Sequence, residues 1–217
     1  MIDPVSLIAC LGVVPVISIE DAGDAIPLAD ALLEGGLPVA EITFRTAAAA
    51  DTIAAIRDSR PELCIGAGTI LDKPSLDLAV AAGARFALAP GLDETLIAAA
   101  KAAGLPFAPG LMTPTDLTAA ARLGVKLAKF FPANRAGGRP FLEAIAAPFA
   151  HLGIQFIPTG GVTEETIADW LKLKSVVAIG GTWIARTADI REGRFADITA
   201  NARAAVAIAA RALEARS

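Results

Sequence analysis

Short apolar runs of strand length recur along this chain, each followed by an alanine-rich stretch with helical spacing. The runs are "VVPVISI" from residue 13, "VAEITF" from 39, "CIGAGTI" from 64, "FALAPG" from 86, "PFAPGL" from 106, "VKLAKFFP" from 125, "QFIPTGG" from 155 and "VVAIGGT" from 176. They begin about 23 residues apart, room for one strand, one helix and two short loops. Helix starts are marked by Asp72 before Pro74, by Asp93, by Thr113 before Pro114, and by Thr163 before two acids. Gly35, Gly83, Gly104 and Gly124 fall where helices should stop. Residues 1–11 read as a short leading helix and 195–215 as a long closing one. Eight strand–helix units predict one (β/α)8 TIM barrel domain spanning 1–217. A doubly wound open sheet also alternates strands and helices, but no GxGxxG follows the first run.

Several runs are apolar at nearly every position, as strands buried on both faces require. That accounts for a mean hydropathy of +0.57 and 54% hydrophobic residues. A spanning helix needs about 18 or more consecutive apolar residues, and a charge or proline interrupts each segment sooner. The N-terminus carries Asp3 and no basic stretch, which argues against a signal peptide. Two cysteines without metal-like spacing fit a reducing cytoplasm. With a net charge of −4 and no basic run, nucleic-acid binding has no electrostatic support.

Against this apolar background the charged strand positions stand out. Alternation puts Val125, Leu127, Lys129 and Phe131 on one face of the sixth run, with Lys126 on the other. The second run carries Glu41, Thr43 and Arg45 on one face, and Thr69 and Thr159 end the third and seventh. In a barrel these strand ends share one mouth. A buried amine must be paired, neutralised or used. Apolar walls such as Phe131 and a neighbouring cation such as Arg45 are surroundings in which a lysine attacks carbonyls. Glu41 suits a proton relay or a buried ion pair with Lys129 or Arg45. Arg45 suits a substrate carboxylate or a rim salt bridge. Thr69 and Thr159 also fit as plain β-formers.

Paired glycines at 160–161 and 180–181 end the seventh and eighth runs, where barrels often hold phosphate; tight turns are the other explanation. "GAG" at 66–68 is a weaker signal, because small residues also serve packing. His151 is the only histidine, which leaves no metal-ligand cluster and no Ser/His or Cys/His nucleophile.

"EITFRT" at 41–46, "GAGT" at 66–69, "APGL" at 89–92, "KFFPA" at 129–133, "PTGG" at 158–161 and "IGGTW" at 179–183 resemble, in order and register, the bifunctional 2-keto-3-deoxy-6-phosphogluconate (KDPG) / 4-hydroxy-2-oxoglutarate (KHG) aldolase family. The resemblance implies a metal- and cofactor-free class I lyase of the Entner–Doudoroff pathway, assembled as a homotrimer. It makes Lys129 the Schiff-base lysine and Glu41 the general acid/base. Arg45 and Thr69 would hold the substrate carboxylate, Phe131 would pack against the reacting carbon chain, Thr159 would contact the carbonyl or hydroxyl region, and Pro90 would also bind substrate. Gly160, Gly161, Gly181 and Thr182 would take the phosphate. Thr182 stands where many relatives have serine, and Asn134 where they have an acid. The galactonate epimer of the substrate, a phosphate-binding isomerase using Glu41 as base, and a silent binding barrel remain open on sequence grounds.

Overall fold

The structure is a computed structural model that describes residues 3–216; the first two residues of the expected leading helix lie outside this range. Every expected run holds a strand: β1 Val13–Ile17, β2 Val39–Thr43, β3 Cys64–Gly68, β4 Ala87–Leu88, β5 Phe107–Ala108, β6 Gly110–Leu111, β7 Leu127–Phe130, β8 Gln155–Pro158 and β9 Ile179–Gly181. All pairings are parallel, in the orders β5-β4-β3-β2-β1-β9 and β6-β7-β8. Single bridges, Phe156 to Val176 and Thr159 to Gly180, bring the second sheet against the first beside β9. The result is an α/β fold with a curled parallel sheet. Every residue of β1, β2 and β3 is buried, which explains the unbroken apolar runs.

The ladders do not form one continuous ring of eight strands. The fifth expected strand is split at Pro109 into β5 and β6. Proline has no N–H to donate to a ladder, although its carbonyl still accepts from Lys129 N at 2.9 Å.

Helix caps follow the local chemistry. Asp72 accepts from Ser75 N at 2.8 Å, Asp93 from Thr95 N at 2.7 Å, and Thr113 from Asp116 N at 3.2 Å, starting Lys73–Ala82, Glu94–Ala102 and Pro114–Arg122. Thr163 instead opens a single 3-10 turn, Glu164–Thr166, before the short helix Ile167–Leu171. There the Thr166 hydroxyl accepts from Thr163 N at 3.0 Å and donates to the Thr163 carbonyl at the same distance, tightening the first turn. His151 is exposed in the 3-10 segment Ala147–Leu152. The closing helix, Phe195–Glu214, packs on Ala25–Glu34 and Ile167–Leu171.

Candidate active site

Lys129 and Glu41 meet in the interior. Lys129, in β7, is 4% exposed and Glu41, in β2, 1%. Lys129 Nζ donates to Glu41 Oε1 at 3.0 Å. Removing two such charges from water is costly, and close hydrogen-bonded contact offsets that cost. The Phe131 ring lies under the amine, its centroid 5.9 Å from Nζ. The site therefore holds an amine and a carboxylate one proton-transfer step apart, with an aromatic wall.

Gly68 makes room for this pair, and Gly110 for the backbone that follows β4. A Cβ on Gly68 would overlap Glu41 Oε1. Gly110 lies opposite Lys129 in the β6–β7 ladder, and a Cβ there would overlap the Pro90 carbonyl. Gly68 of the "GAG" segment thus makes room for a buried side chain on the neighbouring strand, a need that a single-strand reading misses. Gly68→Ala should displace the Glu41 carboxylate and lower kcat on the order of 10²-fold, the scale of a misplaced catalytic group. Circular dichroism should stay native. Wild-type turnover in the alanine variant would show that Glu41 tolerates the shift.

Arg45 lies past the end of β2, exposed, and its Nε donates to Thr69 Oγ1 at 3.2 Å. Glu41 pairs with Lys129, while Arg45 pairs with the threonine. Thr69 has φ 57, the only positive value among the described non-glycine residues. A β-branched residue in the left-handed region costs on the order of 1–3 kcal/mol. Its hydroxyl is held in place for the guanidinium at that cost. Thr43 serves the sheet instead. It is buried, and its hydroxyl donates to the Ile17 carbonyl at 3.0 Å, tying β2 to β1.

Thr159, also buried, points Oγ1 toward the Ile157 carbonyl at 3.4 Å, and a Cβ on Gly180 would overlap that hydroxyl. Gly160 packs against the Phe131 ring, and a Cβ on Gly161 would come within 2.7 Å of Asn134 Cβ. Asn134 is therefore packed onto the double glycine. The backbone N–H groups of Gly160, Gly161 and Thr182 have no acceptor among the described residues. Such amides suit an anion. Gly181 is buried in β9, where a Cβ would overlap the Trp183 ring, so its glycine also has a packing reason.

Above β1, β2 and β9 lies a cavity of about 410 Å³ that brings Arg45 and Thr182 onto one wall, with Ser18, Arg186 and Thr187, three residues that sequence reasoning did not single out. Lys129, Glu41, Thr159 and Gly161 do not line it. An apolar hollow of about 360 Å³, walled by Phe149, Ile154 and Phe156, sits near the N-terminal end of β8. No group of three or more His, Cys, Asp or Glu that could hold a metal ion occurs among the described residues. No described helix is long and apolar enough to cross a membrane.

Residues 6–201 match the family model described as KDPG and KHG aldolase. The KHG/KDPG aldolase of Escherichia coli K12 is 43% identical over 194 residues, 89% of this chain and 90% of that protein. The 2-dehydro-3-deoxy-phosphogluconate aldolase of Dickeya dadantii is 43% identical over 195 residues, 90% and 91% of the two chains. Among solved structures, the Legionella pneumophila KDPG aldolase, with pyruvate captured at low pH as a covalent carbinolamine intermediate, superposes with a TM-score of 0.88. It is 36% identical, covering 94% of this chain and 98% of that one.

Proposed function

The chain belongs to the KDPG and KHG aldolase family, and from that membership we propose a class I aldolase that cleaves 2-keto-3-deoxy-6-phosphogluconate to pyruvate and glyceraldehyde 3-phosphate, and 4-hydroxy-2-oxoglutarate to pyruvate and glyoxylate. The observation that carries the reading is the buried contact between Lys129 Nζ and Glu41 Oε1 at 3.0 Å.

Lys129 passes a proton to Glu41 and attacks the C2 ketone as a neutral amine, its N–H proton moving to the ketone oxygen to give a carbinolamine. Glu41, within hydrogen-bond reach of the amine, delivers the proton with which water departs, and an iminium results. The iminium takes up the electron pair of the breaking C3–C4 bond, while the C4 hydroxyl gives its proton to the carboxylate and becomes the aldehyde. The remaining enamine takes a proton back at C3 from the Glu41 carboxyl, and water hydrolyses the resulting imine to pyruvate, freeing the lysine. Arg45, with its guanidinium set by Thr69, holds the carboxylate beside C2. Phe131, Pro90 and Thr159 line the carbon chain, and the free amides of Gly160, Gly161 and Thr182, beside Gly181, receive the phosphate. All of this needs no metal or cofactor.

The same reading closes the two sheets into one (β/α)8 barrel domain. β5 and β6 count as one strand interrupted at Pro109, and the bridges between the β8 and β9 runs supply the last seam. A homotrimer follows from the family resemblance, and the exposed Leu71, Leu78 and Phe141 are surface such an assembly would use. We place the enzyme in the cytoplasm, where the free Cys10 and Cys64 stay reduced.

Borohydride reduction in the presence of pyruvate and excess chelator tests the assignment. One pyruvate should be fixed per chain, on the peptide bearing Lys129 rather than Lys126. An adduct on another lysine, or none without added metal, would refute it.

A further inference from the structure

We propose that Arg186 is a second, charged anchor for the substrate's terminal phosphate and sets the preference for the phosphorylated six-carbon acid over the shorter dicarboxylate. This role rests on the aldolase reading above and adds to it a residue outside the family's motifs.

Arg186 lies on the loop after β9 and lines the same cavity as Thr182. The guanidinium is exposed and makes no hydrogen bond or ion pair among the described residues. Other arginines near acids are committed: Arg60 to Asp30, Arg194 to Asp189. The cavity wall carries Arg45 and Arg186 but no carboxylate, which favours an anion there, while Glu20, Asp21 and Asp24 line the adjoining hollow that shares Ser18 and Thr187. Ser18 adds a hydroxyl suited to phosphate oxygens, whereas the Thr43 hydroxyl is spent on the Ile17 carbonyl. Thr187 Oγ1 donates to the Ser18 carbonyl at 3.2 Å, which pins the loop to the end of β1 and fixes the base of the Arg186 side chain.

The chemistry separates the two ends of the substrate. Arg45 is already engaged by Thr69, which suits it to the planar carboxylate beside C2. Arg186 has all its donors free, and a planar fork with several N–H groups suits a phosphate dianion. Thr182 supplies an unpaired amide four residues earlier on the same loop. A phosphate held by that amide has a guanidinium within the same cavity to balance its charge. 4-Hydroxy-2-oxoglutarate has no phosphate and a shorter chain, so its binding draws less on Arg186.

The test compares wild type, Arg186→Ala and Arg186→Lys. For the phosphorylated substrate, Arg186→Ala should raise KM about 10–100-fold, as expected for a lost charge-assisted contact, with kcat within a few-fold. KM for 4-hydroxy-2-oxoglutarate should rise far less, and Arg186→Lys should recover part of the loss. Inorganic phosphate should raise the wild-type Tm and do so less for Arg186→Ala, a readout independent of cleavage. An unchanged KM for the phosphorylated substrate would overturn the proposal. So would equal losses on both substrates in a variant that still traps pyruvate. If wild type neither cleaves nor traps pyruvate while its phosphate stabilisation still depends on Arg186, the aldolase reading fails and the anion site stands.

Discussion

Lys129→Arg is expected to yield a folded protein with no measurable cleavage. The substitution keeps a positive charge opposite Glu41, but guanidinium stays protonated and forms no imine. Removing the nucleophile of a covalent enzyme costs on the order of 10⁴–10⁶-fold, and borohydride should fix no pyruvate. An isomerase or binding barrel that needed only charge at this position would retain part of its function, so near-normal turnover by the arginine variant would end the lyase reading. Lys129→Ala adds a stability signature. Glu41 is 1% exposed, and truncating its partner leaves a buried carboxylate uncompensated, about 3–5 kcal/mol. For a chain of this size that is roughly a 6–20 °C loss in Tm. Adding Glu41→Gln to Lys129→Ala should recover part of it, because the unpaired charge is gone. If the double variant is no more stable than the single one, the two residues are not coupled as the geometry states.

The strands were legible because burial on both faces leaves a continuous apolar signature, and a lysine or glutamate inside such a run is conspicuous. Helix starts were legible where one side chain caps its own turn, as at Asp72, Asp93 and Thr113. Pairing across the fold was less so. Sequence offered Glu41 either Lys129 or Arg45, and the choice is made by strands 88 residues apart in the chain. Gly68 belongs to the same class: its need for a missing Cβ arises from a side chain on the neighbouring strand. The gap at Pro109 follows from one absent N–H, but where the ladder resumes depends on β7 and not on local residues. Arg186 carries no local mark at all. An exposed arginine in a loop reads as solvated until a cavity with a second guanidinium is found around it.

Glu41→Gln is expected to lower kcat on the order of 10²–10⁴-fold, the usual worth of a positioned general acid–base. Glutamine fills nearly the same volume beside Gly68 and can still accept a hydrogen bond from Lys129 Nζ, so the 3.0 Å contact need not be lost. What it cannot do is take a proton in one step and return it in another. Carbinolamine dehydration, removal of the C4 hydroxyl proton and hydrolysis of the product imine all draw on that capacity. KM should move only a few-fold, because the carboxylate and phosphate anchors are elsewhere. Pyruvate should still be trapped on Lys129, more slowly, since the nucleophile remains. Rapid-quench measurement of borohydride-sensitive imine against time separates the two roles. Slow imine formation with slow cleavage marks the relay. Turnover within a few-fold of wild type would leave Glu41 as an ion-pair partner that only positions the lysine.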